Sequence, residues 1–190
     1  MQKPQPLNRE IQLDSKRYIV SKTDPRGVIT FANDYFMEVC GYSKEELIGQ
    51  PHNIVRHPDM PKIVFKVMWD RINQGKNIKA IVKNLAKDGR YYWVMTDFEP
   101  TYDALTHRIT AHTAYRRAAP RKAIEQIEPI YQKLIEIEKD GGIRASGEFL
   151  ENFLELNHTS YNDYIDKISE YKGLTKLFFE AMKKIFGSKN

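Results

Sequence analysis

Apolar positions alternate with polar ones near both ends of the first 119 residues, and between these stretches they repeat at helical spacing. The alternating runs are rich in β-branched and aromatic residues, which is typical of strands. The predicted strands cover residues 17–21, 28–32, 78–85, 91–98 and 108–115. Turn sequences at 24–27 and 87–89 join the first two strands and the third to the fourth. The order β-β-α-α-α-β-β-β predicts an α+β fold, a five-stranded antiparallel sheet with helices on one face.

Local signals delimit the three helices between the second and third strands. Asn33 is a suitable N-cap for a helix over 34–40, and Gly41 ends that helix. Residues 43–46 form a capping box that opens a second short helix, which Gly49 closes. A third helix over 62–73 carries apolar residues at helical spacing and ends before Gly75. We expect a pocket between these helices and the sheet.

The segment 49–60, GQPHNIVRHPDM, separates the second helix from the third and is polar. Prolines at 51, 58 and 61 exclude a regular helix there, because proline lacks the backbone donor and restricts the residue before it. We expect this segment to rim the pocket. Its candidate binding residues are His52, Asn53, Arg56, His57 and Asp59. A solvated surface loop is the alternative that composition alone favours.

Residues 119–190 predict a helical extension. Apolar residues at 123, 127, 130, 134 and 137 follow the four-three spacing of a coiled-coil seam. Pro129 is expected to start or kink this helix, and Gly141 with Gly142 to end it. Apolar repeats over 149–171 and 174–186 predict two more helices. The three helices fit an intramolecular bundle or, alternatively, an interface with a second copy or a receptor.

Composition and charge exclude several classes of protein. The chain has 190 residues, 41% of them hydrophobic, and its single cysteine excludes an internal disulfide and fits a reducing compartment. No apolar run is long enough to span a membrane, and the N-terminus has no signal segment, so we expect a cytoplasmic protein without membrane insertion. Residues 1–119 hold 19 basic and 13 acidic side chains, but the basic ones are scattered, which argues against nucleic-acid binding.

Sequence motifs of common enzymes and metal sites are absent. The chain has no GxxxxGK[ST], GxGxxG or GxSxG motif, so we predict no catalytic residues. His52 and His57 are five residues apart, as are His107 and His112, and no third ligand accompanies either pair. That spacing does not match a helical face, so we expect no metal site.

Residues 8–115 resemble a PAS sensor domain, and in particular the FAD-binding PAS domains of bacterial aerotaxis transducers. The matching segments are 27–33, 41–42, 47–53, 55–61, 68–69, 81–84, 89 and 92–94. The sequence RHPDMP at 56–61 is the most specific, because generic PAS domains lack it. The resemblance implies an N-terminal arm (1–15), a PAS sensor domain (16–118) and a C-terminal helical signalling region (119–190). The cysteine motif of LOV photoreceptors is absent, which disfavours a flavin–cysteine adduct.

The resemblance also implies a bound FAD. In this family the positions that match Arg56, His57, Asp59 and Trp69 are associated with FAD binding. Trp69 suits one face of the flat flavin ring, while Arg56 and His57 suit the pyrophosphate. Asp59 would orient one of those two cations or contact the ribose.

Four further residues complete the candidate set, namely Asn33, Asn84, His52 and Asn53. Amides can read the polar edge of the flavin as donors and as acceptors. Structural roles are open alternatives: Asn33 also suits a helix cap, Asn84 a strand end and Trp69 the core. A haem-binding PAS gas sensor with a histidine ligand and a ligand-free interaction module are the alternative functions.

The chain has no kinase, cyclase, methyl-accepting or helix-turn-helix signature, so a sensor of this kind must act through another chain. It resembles the short CetB-type proteins, the soluble sensory halves of bipartite energy-taxis systems. This resemblance implies a redox sensor that reports to a membrane-bound chemoreceptor-like partner of the HAMP or methyl-accepting type. Membrane association would then occur only through that partner. A homodimer is a further alternative.

Overall fold

A computed structural model of the protein describes residues 3–169, and within them five strands form one antiparallel sheet. The strands are β1 (Ile19–Thr23), β2 (Ile29–Ala32), β3 (Ile78–Leu85), β4 (Tyr91–Tyr102) and β5 (Ile109–Ala118). The helices are α1 (Asp34–Cys40), α2 (Lys44–Leu47), α3 (Lys62–Asn73), α4 (Arg121–Leu156) and α5 (Tyr161–Ile168), with a 3₁₀ turn at His52–Val55. The predicted α+β class and the order of its elements are confirmed.

The strand order in the sheet is β2-β1-β5-β4-β3. The last three strands form a meander. The strand β1 lies between β2 and β5 and pairs with β5, so that Ser21 lies opposite Ala114. The helices α1 to α3 form the crossing between β2 and β3. Because side chains alternate along a strand, every second residue of β4 and β5 faces this crossing. The candidate site lies between those side chains and α3.

The caps of α1 and α2 form as the sequence predicts. Asn33 caps α1 by accepting the amide of Phe36 at 3.0 Å, and Gly41 adopts a left-handed conformation at its end. Ser43 and Glu46 form the reciprocal capping box of α2. The strands β4 and β5 run further than predicted, to Tyr102 and Ala118. The additional residues of β4 (99–102) pair with 109–113 of β5, and those of β5 (116–118) pair with 94–96 of β4, so the hairpin is longer at both ends than predicted.

The C-terminal helices agree with the prediction at one point and differ at another. The predicted end at Gly141 and Gly142 is confirmed, because Gly142 has a non-helical conformation (φ 65°) and forms a kink at which a second helical stretch begins and runs to Leu156. Pro129 lies inside α4. The helix predicted over 149–171 is broken between Leu156 and Tyr161, where Ser160 accepts the amide of Asp163 and begins α5. The helix predicted over 174–186 lies outside the described residues.

The apolar stripe of α4 packs on its own domain. Ala123, Ile127 and Leu134 are buried, and the Tyr131 hydroxyl donates to the carbonyl of Ile81 at 2.8 Å. Ile81 belongs to β3, an edge strand that leaves alternate backbone groups unpaired. Asn162 of α5 also accepts the amide of Lys79 in β3 at 3.3 Å, so α4 and α5 together cover the open edge of the sheet. Within residues 3–169, no helix combines the length and the apolar character needed to cross a membrane.

Candidate functional site

A cavity of about 240 Å³ lies between the inner face of the sheet, α3 and the segment 51–56. Its apolar wall is formed by side chains from α3 and from three strands, namely Phe65, Met68, Trp69, Ile72, Val82, Phe98 and Ala114. Arg26, Pro51 and Asn53 also line it and are exposed to solvent, so they mark its opening. The cavity is the pocket that the sequence predicts between the helices and the sheet.

Trp69 stands in the wall between Gly27 and His112. Its ring meets the ring of His112 edge-on, with 5.8 Å between the centroids. On its other side, a Cβ atom on Gly27 would lie 2.8 Å from Cζ2 of Trp69. Gly27 has a φ of +85°, a conformation that favours glycine, and its missing side chain leaves the space that the indole ring occupies. Trp69 is half-buried and borders the cavity, so it is more than a core residue.

Arg56 and Asn84 reach the cavity from neighbouring backbone positions, because the segment 51–56 forms an isolated bridge to β3 through these two residues. The guanidinium of Arg56 lies over the ring of Phe65, with 3.6 Å from Cζ to the ring centroid. Burial lowers the pKa of Arg56. The structure thus places a cation on the aromatic side chain of α3 at the cavity wall.

His52 begins the 3₁₀ turn, and its ring stacks on Phe36 with 5.7 Å between the centroids. Arg116 donates from Nη2 to Nε2 of His52 at 2.9 Å and from Nη1 to Oγ of Ser21 at 2.9 Å. A ring nitrogen that accepts a hydrogen bond carries no proton, so His52 is neutral with its proton on Nδ1. Burial and the charge of Arg116 hold the pKa of His52 well below its usual value.

Several buried polar atoms of the lining have no hydrogen-bond partner among the described residues. They are Nε of Arg56, Oγ1 of Thr96 and both ring nitrogens of His112. Thr96 is 0% exposed and His112 is 3% exposed, and burial lowers the pKa of His112. An unpaired buried polar group costs about 1–3 kcal/mol. A lining with so many free donors and acceptors is suited to a ligand with a polar edge.

Two residues of the predicted set, His57 and Asp59, lie outside the cavity. Nδ1 of His57 accepts the amide of Asp59 at 3.0 Å, and the ring meets Tyr91 edge-on at 5.9 Å between the centroids. The carboxylate of Asp59 accepts from Nζ of Lys83 at 2.9 Å. Burial and the charge of Lys83 lower the pKa of His57 to about 4. The roles predicted for His57 at the pyrophosphate, and for Asp59 at one of the two cations or at the ribose, stay predictions.

Asn33 also lies away from the cavity lining. Besides capping α1, its side chain accepts the amide of Val20 at 3.0 Å and donates to the carbonyl of Tyr18 at 2.8 Å. These contacts join the start of α1 to β1. Of the eight predicted residues, the cavity brings together His52, Asn53, Arg56, Trp69 and Asn84.

The strands contribute further polar lining residues that no sequence motif indicates, namely Ser21, Thr23, Thr96 and Arg116. His112 enters the predictions only through its five-residue spacing from His107. The available signal was strand alternation: His112, Ala114 and Arg116 are two residues apart on β5 and therefore share a face. Among residues 3–169, no cluster of three metal-ligating side chains is present.

Comparisons with known proteins agree with this geometry. Residues 29–111 match a family model described as the PAS fold. The domain has the PAS fold. A solved RNA-binding light-oxygen-voltage receptor aligns with 64% of this chain and 34% of its own, with a TM-score of 0.51 and 18% sequence identity, which bears on the fold alone.

Two sequence relatives also match the PAS domain. The aerotaxis receptor of Escherichia coli is 42% identical over 116 residues, which are 61% of this chain and 22% of that protein. The biofilm dispersion protein BdlA of Pseudomonas aeruginosa is 28% identical over 81 residues, which are 42% of this chain and 19% of that protein. The chain thus spans about a fifth of the length of these two relatives. Homology with the aerotaxis receptor covers the PAS region.

Proposed function

We propose that the PAS domain binds FAD in the cavity and that the protein is a redox sensor for energy taxis. The observation that carries the proposal is the lining, in which the indole of Trp69 stands beside the unpaired polar atoms of Thr96 and His112. A flat aromatic ring with a polar edge needs both kinds of wall. The resemblance to FAD-binding PAS domains, and the 42% identity with the aerotaxis receptor, support the choice of flavin.

The size of the cavity suggests how FAD would divide between enclosed and exposed parts. About 240 Å³ is less than the roughly 300–1,000 Å³ of pockets that enclose drug-sized ligands. We infer that the cavity takes the ring system and that the dinucleotide extends through the opening beside Arg26 and Asn53. The partly buried cation of Arg56 would hold a phosphate there. The flavin, when bound, supplies reversible electron transfer.

A direct contact joins the cavity wall to the C-terminal helix. Helix α3, which carries Trp69, has Pro61 at its N-cap position and no side-chain cap of its own. Glu138 of α4 instead accepts the first two amides of α3, from Lys62 at 2.9 Å and from Ile63 at 2.8 Å. A shift of α3 on flavin reduction would therefore act on α4. We propose that a chemoreceptor-like partner senses this change in α4.

The cofactor is tested by the absorption spectrum of the purified protein, in air and after dithionite, with titrations of FAD and FMN. We expect a flavin spectrum that bleaches on reduction and a preference for FAD. The two tryptophans provide matched variants, because Trp69 borders the cavity whereas Trp93 lies with Glu128 and Tyr131 in a groove beside α4. Trp69→Ala should weaken FAD binding by about tenfold or more, while Trp93→Phe should not. A colourless protein that takes up no added flavin would contradict the proposal.

The partner requires a separate test. Purified protein is titrated onto membrane vesicles that carry a candidate chemoreceptor-like protein with a HAMP domain, once oxidised and once reduced by dithionite. We expect the dissociation constant to depend on the redox state by about fivefold or more, the usual size of a coupling between two sites. Equal affinity in both redox states would leave the proposal of FAD binding intact and would contradict the proposal that the protein transmits the redox state of the flavin to this partner.

Haem is the second candidate ligand, and one observation favours it. Both ring nitrogens of His112 are buried in the cavity wall without a partner among residues 3–169, and an axial haem ligand needs one such free nitrogen. A Soret band in the protein reconstituted with haemin, lost in His112→Ala, would support haem over flavin.

A further inference from the structure

Arg116 is a buried cation whose hydrogen-bond partners are both neutral. It is 3% exposed, and it donates only to Ser21 and to the unprotonated Nε2 of His52. The rings of Phe36 and Phe98 lie 5.9 and 5.6 Å from its Cζ atom. No carboxylate among residues 3–169 pairs with it. A buried charge without an opposite charge costs free energy, so its retention calls for a compensating anion.

Lys83 is the other buried cation of the sheet and, unlike Arg116, it has carboxylate partners. Lys83 is 8% exposed. Its Nζ atom lies 2.9 Å from the carboxylate of Asp59 and 3.9 Å from that of Glu128. Lys83 faces α4, whereas Arg116 faces the cavity. The cation without a carboxylate is thus the one that a ligand in the cavity can reach.

The partners of Arg116 do not depend on it. The hydroxyl of Ser21 lies 3.1 Å from Nε2 of His52 and can donate to it directly. Removal of the guanidinium therefore leaves these two groups able to satisfy each other. A structural role in joining β1 to the 3₁₀ turn gives no reason for a charged residue at position 116.

We propose that Arg116 binds the negative charge that FAD acquires on reduction and thereby sets its midpoint potential, an inference that rests on the proposed function. An external reductant, dithionite in the test, gives the ring two electrons, and the ring takes up one proton, so one negative charge is left on it. A cation held in place before the charge develops stabilises it without reorganisation. Arg116 would therefore favour the reduced form over the oxidised form.

The test compares midpoint potentials of the FAD-loaded wild type, Arg116→Gln, Arg116→Lys and the control Arg144→Gln. Arg116→Gln should weaken binding of reduced FAD relative to oxidised FAD by about tenfold, which lowers the potential by about 30 mV for a two-electron couple. Arg116→Lys keeps the charge and should stay close to the wild type. Arg144 lies on α4 outside the cavity lining, with a side chain that is 90% exposed, and its substitution should leave the potential unchanged.

Failure of this inference can be distinguished from failure of the proposed function. A wild type that binds FAD, together with an unchanged potential in Arg116→Gln, overturns the role of Arg116 and leaves FAD binding in place. A wild type that binds no FAD overturns both.

A second measurement needs no cofactor. The thermal midpoint of the ligand-free Arg116→Met protein should equal or exceed that of the wild type, because an unpaired buried charge is removed while its volume is retained. A clearly lower midpoint would assign Arg116 to the fold and overturn the inference.

Discussion

The cavity wall and the covered edge of β3 belong to one sheet, yet their buried polar groups differ in how completely they are paired. At the β3 edge, the Tyr131 hydroxyl donates to the carbonyl of Ile81 and contacts the hydroxyl of Tyr161 at 3.1 Å. Next to it, Lys83 pairs with Asp59. Among residues 3–169, the cavity wall differs: the hydroxyl of Thr96 and both ring nitrogens of His112 have no hydrogen-bond partner, and Arg116 has no carboxylate partner.

This difference separates a region whose polar groups pair within the chain from one whose polar groups are available to the proposed ligand. Satisfied polar groups at an edge strand stabilise the fold and exclude further strand pairing. Unsatisfied groups around a cavity reduce stability and are retained where a ligand pairs with them. Substitutions at the β3 edge should therefore change stability with or without flavin, whereas those in the cavity should act mainly on the loaded protein.

The largest effect is expected at Gly27, where a substitution should change both the stability of the fold and the binding of the ligand. Gly27→Ala would place a Cβ atom 2.8 Å from the ring of Trp69 and force the ring to move. Gly49→Ala is the matched control, since its φ of +83° is similar and no atom of the described residues lies within 4 Å of the new Cβ. Both substitutions should cost about 1–2 kcal/mol for the left-handed conformation. Only Gly27→Ala should lower the free energy of unfolding by a further amount of about 1–3 kcal/mol, because the added methyl group overpacks the site.

Urea unfolding and FAD titration of the two glycine variants measure these quantities. FAD affinity should fall by about tenfold or more in Gly27→Ala and stay near the wild type in Gly49→Ala, because a displaced tryptophan no longer forms the wall. Equal losses in both variants would mean that Gly27 matters only for the backbone, and that the position of Trp69 does not matter for the ligand.

The second effect is a dependence of stability on pH that arises outside the cavity. The pKa of His57 is about 4 in the folded protein, against about 6.5 for an unperturbed histidine. Its contribution to stability is complete above pH 6.5 and is lost as the pH falls towards 4, because the unfolded chain takes up the proton first. The loss has a slope of up to about 1.4 kcal/mol per pH unit.

His57→Gln tests this slope, since its amide oxygen can still accept the amide of Asp59. The variant should unfold with a flatter pH dependence between pH 4 and 6.5, while His107→Asn in an exposed loop should match the wild type. The flattening should be the same with and without FAD, as the ring lies outside the cavity. A flattening that FAD removes would instead place His57 in contact with the ligand, as the sequence predicts.

The sequence predicts elements better than contacts between them, and these residues show why. Helix limits depend on neighbours in the chain, so Asn33, Gly41 and the capping box of Ser43 could be recognised directly. Trp69 and Arg56 could be selected because their segments match a family motif. Arg116 could not, because its significance depends on the absence of a carboxylate nearby, which only the packing of β1, β5 and the 3₁₀ turn determines. The break before Ser160 lies at the polar residues 157–160, NHTS, and it was missed because the apolar residues on either side were assigned to one helix.

Glu138 should have a smaller effect on stability and a specific effect on coupling. Glu138→Ala removes the acceptor for the first two amides of α3 and should cost about 1 kcal/mol, as the loss of a helix cap does. Glu136→Ala, an exposed residue that pairs with Lys133 on the same helix, is the control and should cost less than about 0.5 kcal/mol. In Glu138→Ala, FAD affinity should persist while the redox dependence of partner binding decreases. Full redox dependence in this variant would exclude the contact as the route from α3 to α4.

The loss of one hydroxyl in each region compares the two regions directly. Tyr131→Phe leaves the carbonyl of Ile81 without its donor and should destabilise the protein by about 1–2 kcal/mol, with or without FAD. Thr96→Val removes a buried hydroxyl that has no partner and keeps the shape of the side chain, so the ligand-free protein should be unchanged or slightly more stable. FAD should bind this variant several-fold more weakly, by about the 0.5–1.5 kcal/mol of one hydrogen bond. Urea midpoints of both variants, with and without FAD, give the four values required. If Thr96→Val destabilised the ligand-free protein as much as Tyr131→Phe does, the hydroxyl of Thr96 would have a partner within the fold, and the cavity wall would be as complete as the β3 edge.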